Sequence, residues 1–245
     1  MKFAIFSDIH GNLPALKAIL ADIKKENIDN IIFLGDAIGI GPNPKECLDL
    51  LLKNNVEIVL GNHELYFIYG TQINNTIDEA EAEHHKWIAQ QLTLEQKEFL
   101  KTRPLFLTKT VLGKVVRFQH FLISNNSPAV YPFAEFSAVE NERLNELVKT
   151  NFADIIFVGH QHKPFTVKSG STVVYDAGAS GCVKTNKTHY VILTDENGEL
   201  EYSKKEVEFN YNQLIDVIKE TDYPEKELIL KIFFGYDLKG NQNGN

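Results

Sequence analysis

Six short apolar runs along this chain each end shortly before a polar side chain of a kind that binds metal ions or handles phosphate. In the first of them, residues 3–6 lead through Ser7 into Asp8 and His10. Because strands that end at one edge of an open α/β sheet can bring such side chains together, the pattern predicts a ligand-binding site at that edge. The polar residues after the six runs are Asp8 and His10, Asp36, Asn62 and His63, His120, His160 and His162, and Asp176.

Apolar residues at helical spacing separate the first of these runs. Leu13, Leu16, Leu20 and Ile23 follow the first run and predict an amphipathic helix, and residues 44–54 predict a second one. Strands that alternate with helices are typical of β-α-β units. The pattern therefore predicts an α/β fold.

Two segments depart from this alternation. Residues from about 65 to 104 predict a helical insertion that overlies or flanks the sheet edge. His84 and His85 lie on an acidic stretch of it and are expected to be solvated, the alternative being that the insertion brings them over the cleft. Residues from about 186 to 234 predict an antiparallel hairpin followed by two helices. The chain has no internal repeat and no convincing linker, so we predict one domain over residues 1–245.

Composition excludes several classes of protein. The formal net charge of −8 disfavours a broad nucleic-acid surface, which would need a basic face. Two cysteines do not form a disulfide framework, so a reducing compartment is expected. No run approaches the roughly 18–20 apolar residues of a membrane helix, and the run after Met1 is too short for a signal peptide. We therefore expect a soluble cytoplasmic protein without membrane partners.

The polar residues after the runs suit a metal centre. Alternation along a strand would place Asp8 and His10 on the same side, where both can bind one ion. Asp36 could use both carboxylate oxygens to bridge two cations roughly 3.5–4 Å apart, although a turn carboxylate in a glycine-rich loop is the alternative. Asn62 is either a ligand or a helix cap, and a lone histidine such as His120 is often structural.

A full set of these residues would combine nitrogen and oxygen ligands. Such a set suits manganese, iron, zinc or nickel better than magnesium alone. We take two divalent ions, with manganese as the first choice, as the expected cofactors. The predicted metal ligands are Asp8, His10, Asp36, Asn62, His120, His160 and His162.

The motifs resemble those of the calcineurin-like metallophosphoesterase superfamily in order and spacing, over residues 3 to about 182. Within that superfamily, the glycine-rich loops after the first two strands are similar to the small bacterial and archaeal phosphodiesterase branch. The motifs that carry the resemblance are Asp8-Ile9-His10-Gly11-Asn12, Gly35-Asp36, Gly61-Asn62-His63-Glu64, His120 and Gly159-His160-Gln161-His162.

The resemblance implies a four-layer αββα sandwich in which two mixed sheets pack together between helices. It also implies that Asp36 bridges the two metals, that His63 is the general acid facing the leaving-group oxygen, and that Glu64 orients His63. By the same resemblance, one metal would be held by Asp8, His10, Asp36 and His162, and the other by Asp36, Asn62, His120 and His160.

The sequence departs from the family pattern at three places. Phe121 stands where the family usually has glycine, and its bulk would narrow the rim or shift the backbone near the second metal. Gln161 replaces the usual threonine at a position that need not touch metal. Asp176-Ala177-Gly178-Ala179 stands where an Asn-Pro-Gly-Ser run is typical, and the added carboxylate would repel phosphate or change the charge of the site.

The first functional hypothesis is a metal-dependent phosphodiesterase that hydrolyses a small organic phosphate ester. A water bridging two metal ions would attack phosphorus, and His63 would protonate the leaving group. The chain has only three arginines, Arg103, Arg117 and Arg143, and none lies in a motif. This argues against the protein-phosphatase branch, which uses arginines beside its metals.

Two rival hypotheses remain. A hydrolase of dinucleoside polyphosphates, such as diadenosine tetraphosphate, would need a purine platform, for which Trp87, Tyr131 and Phe133 are candidates. A non-catalytic scaffold is the other rival, since one retromer subunit uses this fold chiefly to bind proteins. The presence of His63 and of all seven predicted ligands argues against the scaffold.

Overall fold

The computed structural model describes residues 1–123, 141–196, 198–222 and 224–238. Strands and helices alternate from the first strand to the third, as the hydrophobic pattern predicts. The strands of the described residues are β1 (Lys2–Phe6), β2 (Asn30–Phe33), β3 (Glu57–Ile58), β4 (Phe106–Val111), β5 (Lys114–Gln119), β6 (Ile155–Val158), β7 (Phe165–Ser169), β8 (Thr172–Asp176), β9 (Lys187–Glu196) and β10 (Glu199–Glu208).

The helices begin where the sequence offers suitable caps. The side chain of Asn12 accepts a hydrogen bond from the backbone N–H of Ala15, and Pro14 occupies the first turn of the helix that follows. The helices of the described residues are α1 (Leu13–Ile23), α2 (Pro44–Lys53), α3 (Asn62–Tyr69), α4 (Glu79–Gln91), α5 (Leu94–Lys101), α6 (Asn141–Asn151), α7 (Tyr211–Glu220) and α8 (Lys226–Phe233), with a 3₁₀ turn at Thr71–Ile73.

Two five-stranded sheets organise the molecule. The first has the order β10-β9-β1-β2-β3, and the second has the order β4-β5-β6-β8-β7. In the first sheet β1, β2 and β3 are parallel, and the hairpin of β9 and β10 adds to β1 in the antiparallel sense. In the second, β5, β6 and β8 are parallel and the two edge strands are antiparallel. Both sheets are therefore mixed, as predicted.

Strand β1 shows how the layers stack. Its side chains alternate between two clusters, because successive residues of a strand point to opposite faces of the sheet. Phe3 and Ile5 pack with Phe118 and Phe157 of the second sheet. Ala4 and Phe6 instead join a cluster that contains residues of α1 and α2. On the outer face of the second sheet, α6 packs against β6 and β8. The predicted αββα sandwich is confirmed.

The segments that depart from the alternation add helices to the sandwich, and the hairpin of the second segment extends the first sheet. Helices α4 and α5 lie within residues 65–104, and α7 and α8 follow the hairpin of β9 and β10. Helices α7 and α8 pack over α1 and the loop at Ile40. That the chain forms one domain over residues 1–245 stays a prediction. Among the described residues, no helix is both long enough and apolar enough to cross a membrane.

Candidate active site

All seven predicted metal ligands follow strand ends on the same side of the two sheets. Asp36 comes after β2, Asn62 begins α3 after β3, and His120 directly follows β5. Asp8 and His10 lie in a loop, because β1 ends at Phe6. The prediction that strand alternation brings these two side chains together was therefore wrong. They converge because of the loop conformation.

The loops at this edge have an unusual backbone. Five of the seven predicted ligands have positive φ, which residues other than glycine rarely adopt. Such conformations cost of the order of 1–3 kcal/mol each and persist only where the surroundings hold them. The residues and their φ angles are Asp8 at 54°, His10 at 47°, Asp36 at 61°, His160 at 73° and His162 at 56°.

Hydrogen bonds between neighbouring loops hold this backbone in place. The N–H of Asp8 donates to the carbonyl of Gly35 at 3.0 Å, and the N–H of His10 donates to the carbonyl of Asp36 at 2.9 Å. On the other side, the N–H of Gly181 donates to the carbonyl of Asp8 at 2.9 Å. These bonds join the loop after β1 to two neighbouring loops and fix the ligands that it carries.

One group of ligands surrounds Asp8. The Nε2 atoms of His10 and His162 lie 3.0 Å apart. The Oδ1 atom of Asp8 lies 3.4 Å from Nε2 of His162 and 3.7 Å from Nε2 of His10. Asp8 and His10 are fully buried, so these atoms face one another in a small polar space.

A second group surrounds Asn62. Its Oδ1 atom lies 3.0 Å from Nε2 of His120 and 2.9 Å from Nδ1 of His160. Asp36 lies between the two groups, because its Oδ2 atom is 3.1 Å from Nε2 of His120 and 3.8 Å from Nε2 of His10. One carboxylate is therefore within reach of both groups.

The donor atoms suit divalent ions of the transition series. Nδ1 of His10 lies 3.2 Å from the carbonyl oxygen of Ile38, and Nδ1 of His120 lies 2.9 Å from that of Leu34. With Nδ1–H donating to a carbonyl, the Nε2 lone pair of each imidazole points into the cluster, as in many metal-binding histidines. Neutral imidazoles, carboxylates and one amide oxygen then form the mixed set that manganese, iron, zinc and nickel accept.

The charges in the cluster are strongly coupled to one another. Burial lowers the pKa of His120, but the carboxylates of Asp36 and Asp8 outweigh this effect and raise that pKa to about 9. Burial lowers the pKa of His160 to about 4. Burial would raise the pKa of Asp36, yet the nearby histidines hold it well below its usual range. Burial would likewise raise the pKa of Asp8, and His120, His10 and His162 hold it well below its usual range, so both aspartates are anionic at neutral pH and available as ligands.

Comparison with known proteins agrees with this geometry. Residues 1–198 match the calcineurin-like phosphoesterase superfamily domain. The protein belongs to this superfamily. It is accordingly a metal-dependent phosphoric ester hydrolase, and the resemblance inferred from the motifs is confirmed.

Relatives of this calcineurin-like phosphoesterase differ in how much of it they match. An uncharacterized protein from Methanocaldococcus jannaschii is 29% identical over 239 residues, covering 91% of this chain and 93% of the relative. The metallophosphoesterase from Sphaerobacter thermophilus has the same fold, with a TM-score of 0.72 at 23% identity over 96% of this chain and 99% of that one. A symmetrical bis(5'-nucleosyl)-tetraphosphatase from Psychromonas ingrahamii is 40% identical over 68 residues, which is 26% of this chain and 24% of the relative.

His63 stands at the edge of the metal-ligand cluster of this phosphoesterase. Its Nε2 atom lies 4.0 Å from Oδ2 of Asp36, and its own N–H donates to Oδ1 of Asp36 at 2.9 Å. Gly39 makes room for the ring, since a Cβ at residue 39 would come within 2.3 Å of its Nδ1 atom. Burial holds the pKa of His63 well below its usual range. The ring lines a cleft beside the cluster.

Glu64 has a different role from the one that the resemblance implies. Its fully buried carboxylate accepts hydrogen bonds from the N–H groups of Asp36 and Gly61 on one oxygen, and of Ala37 and Ile38 on the other, at 2.8–3.3 Å. It is thus bonded to the backbone that carries Asp36, whereas it was expected to orient the His63 imidazole. The sequence signal was available, because a glutamate three residues into a helix often bonds to backbone N–H groups.

Both departures from the family pattern that we expected to disturb the site are accommodated. Phe121 is buried in the core, and its ring packs edge-on against His120 and His160. Asp176 is fully buried and accepts a hydrogen bond from the N–H of Gly178 at 2.7 Å. Burial and the charge of Asp8 raise the pKa of Asp176 to about 8, so the side chain is mostly uncharged at neutral pH. Its expected effect on phosphate or on the charge of the site stays a prediction.

A cleft of about 440 Å³ opens beside His63. One wall is α4, and the other is α8. His84 and His85 are buried and line this cleft, so the expectation that they are solvated was wrong and the alternative, that the insertion brings them over the cleft, is the one that the structure shows. Nδ1 of His84 lies 3.2 Å from the carbonyl oxygen of Pro224, and the ring of His85 packs against His63 and Tyr66. The sequence pattern predicted a helix here but gave no indication that α8 lines the site.

The aromatic residues named as a purine platform do not form one among the described residues. Trp87 packs against the hydrophobic core and does not line the cleft. Tyr131 and Phe133 lie outside the described residues. Arg103 and Arg117 pack over the rings of Phe99 and Phe106, away from the cleft. The part of the cleft wall that the structure describes therefore contains no arginine.

Proposed function

We propose that this protein is a phosphodiesterase that hydrolyses a small organic phosphate ester at a centre of two divalent metal ions, with His63 as general acid. The observation that carries the proposal is the position of Asp36, whose Oδ2 atom is within 4 Å of histidines from both ligand groups. Asp8, His10, Asp36 and His162 would hold one ion, and Asp36, Asn62, His120 and His160 would hold the other.

Manganese is our first choice for both ions. Four imidazoles, two carboxylates and an amide oxygen form a donor set that is too rich in nitrogen for magnesium alone. Iron, zinc and nickel accept the same donors. Two bound ions of this kind would offset the charge of the phosphate and make a water between them acidic enough to act as the nucleophile.

The residues of the chain would then position the ester and deliver the proton. His63 lies at the mouth of the cluster, so its Nε2 can reach an ester oxygen on the side facing the cleft. A protonated imidazole there would donate its proton as the P–O bond breaks, which contributes roughly 10²–10⁴ in rate. The negative charge of a bound phosphate would favour that protonated form, against the effect of burial.

A diester fits the site better than a protein substrate does. The described cleft wall has no arginine to hold a phosphorylated peptide, and the cleft is the size of a small-molecule site. A diester carries one negative charge, which two divalent ions neutralise without help. We therefore infer that the ions supply most of the charge stabilisation.

Hydrolysis of a dinucleoside polyphosphate is the second candidate. It is supported by the similarity of 68 residues to a symmetrical bis(5'-nucleosyl)-tetraphosphatase, at 40% identity. That similarity covers 24% of the relative, so it favours a shared reaction type more than a shared substrate.

Metal-stripped protein supplied with bis-p-nitrophenyl phosphate tests the proposal. We expect turnover when manganese is added and none without it, and Asp36→Asn should abolish the manganese-dependent rate. p-Nitrophenyl phosphate, assayed beside it, distinguishes a diesterase from a monoesterase. A folded protein that fails to hydrolyse the diester with any divalent ion would contradict the proposal and favour a binding role for the fold.

A further inference from the structure

Helix α8 presents an apolar row to the cleft that the hydrophobic core does not require. Leu228 and Ile232 are four residues apart, so they lie on one face of the helix, and each is 49% exposed. Leu230 of the helix and Phe234 just after it are buried in a core cluster with α7, and Ile229, which also borders the cleft, is buried in the same cluster. The helix is therefore anchored by one apolar face and leaves a second one open to the cleft.

This open face continues directly into the metal-ligand cluster. Phe233 lines the same cleft, and its ring lies 6.2 Å from the ring of His162 in an edge-on arrangement. His63 and Asp36 line the cleft as well. A phosphate bound at the cluster would thus place one of its ester substituents against Phe233, Ile232 and Leu228.

The opposite wall is acidic. Asp78 and Glu81 of the α4 region line the cleft, and Glu225 lies at the start of α8. Among the lining residues that the structure describes there is no lysine and no arginine. His84 connects the two walls through its contact with Pro224, so a substituent that leaves the cluster must pass between carboxylates and an apolar helix.

We propose that the cleft selects phosphodiesters with one uncharged apolar or aromatic substituent and disfavours substrates in which a polyphosphate chain extends from the cluster. This inference rests on the proposed function and specifies its substrate class. An apolar substituent gains by removing Leu228, Ile232 and Phe233 from water. Additional phosphates would instead lie beside Asp78 and Glu81, where no described basic side chain offsets their charge.

Two substrates with the same leaving group test the apolar part of this proposal. Phenyl p-nitrophenyl phosphate and methyl p-nitrophenyl phosphate differ only in the substituent that would contact α8. We expect the manganese-loaded protein to favour the phenyl ester in kcat/KM by about tenfold or more, since apolar pockets discriminate groups of this size to that extent. The Leu228→Ser/Ile232→Ser double variant should reduce this ratio to about twofold or less.

Leu94→Ser is the matched control. Leu94 is 74% exposed at the start of α5 and does not line the cleft, so the same leucine-to-serine change there should leave the ratio as it is. Circular dichroism should show all variants folded. A wild-type ratio near one, or a ratio that the double variant leaves unchanged, would overturn the inference while the diesterase activity itself stands.

Diadenosine tetraphosphate tests the acidic wall. Its kcat/KM should be at least about tenfold below that of the p-nitrophenyl ester of thymidine 5'-monophosphate, and Glu81→Gln should narrow the difference. A preference for the tetraphosphate would overturn the inference and support the second candidate function. If the wild-type protein hydrolysed none of the diesters, the proposed function would fail, and this inference would fail with it.

Discussion

The loops that carry the seven predicted metal ligands, here called the rim, and the walls of the cleft are neighbouring regions of the candidate active site that are built in different ways. The rim consists of loops in which Asp8, His10 and His120 have 0% exposure, while His160 and His162 are partly exposed. The walls are two helices, and α8 exposes half of Leu228 and Ile232 to solvent. The rim also lies within residues 1–198, which match the superfamily, whereas α8 lies beyond them.

This difference indicates that the rim and the walls have separate roles. Backbone hydrogen bonds hold the residues of the rim at strained φ angles. Few other residues could therefore replace them without changing the geometry of the rim. The open face of α8 is half exposed, so its residues can be substituted without disturbing the geometry of the rim. We therefore expect changes in the rim to affect every substrate, and changes in the walls to affect the choice among substrates.

Asp36→Asn should have the largest effect, because asparagine keeps the shape of the side chain and removes the charge that faces both ligand groups. Activity should fall by at least about 10³-fold on every ester, since both ions lose a charged ligand. Elemental analysis should show less than two metal ions per chain. Full metal content with full activity would show that the carboxylate does not bridge the two groups.

His63→Asn should reduce activity by roughly 10²–10⁴-fold while the protein keeps its metal content. The loss should be smaller for p-nitrophenyl esters than for alkyl esters, because p-nitrophenolate leaves without needing a proton. Comparing the two ester classes in this variant gives the measurement. An equal loss on both classes would argue that His63 binds substrate and does not act as an acid.

Glu64→Gln tests whether the rim depends on a carboxylate that touches no metal ligand side chain. Four backbone N–H groups donate to it, and glutamine offers them one oxygen and one NH₂ group. We expect a loss of about 1–3 kcal/mol in the free energy of unfolding, measured in urea, and a metal affinity reduced by about 10–100-fold. A variant as stable as wild type would show that the loop at Asp36 keeps its conformation without the carboxylate of Glu64.

Metal binding should release protons at neutral pH. The pKa of His120 is raised to about 9 in the metal-free protein, so its imidazole is protonated below that pH and must lose the proton before it binds a metal. Apparent affinity should therefore rise from pH 6.5 to pH 8. Calorimetry in two buffers of different ionisation enthalpy counts the protons, and a heat that is independent of the buffer would contradict this expectation.

Leu228→Ser should have the smallest effect on stability, within about 0.5 kcal/mol of wild type in urea unfolding, because the side chain is half exposed and leaves no cavity. Ile229→Ser, one residue along, is the comparison, since Ile229 is buried and its loss should cost about 2–4 kcal/mol. Equal losses from both variants would show that the open face of α8 is part of the core after all.

Much of the rim could be predicted from the sequence alone. Each predicted ligand follows a short apolar run, so the sequence indicated that Asp36, His120 and His162 lie together at one edge of the sheets, and the structure brings them together. That they bind metal stays a prediction. The two mixed sheets and the outer helices followed from the resemblance that these motifs carry. These features are local or depend on a fixed order of motifs, which a sequence displays directly.

Other features were decided only by tertiary structure. The hydrophobic pattern predicted that Asp8 and His10 lie on a strand, but hydrogen bonds with neighbouring loops hold both residues in left-handed conformations. The sequence pattern favoured solvated side chains for His84 and His85, but His84 contacts Pro224, 140 residues further along the chain, and His85 packs against His63 and Tyr66. The sequence suggested a charged carboxylate at Asp176, but burial raises the pKa of this side chain to about 8. Periodicity shows which faces of an element are apolar, whereas long-range packing decides what covers each face, and so only the fold placed α8 beside the metal ligands.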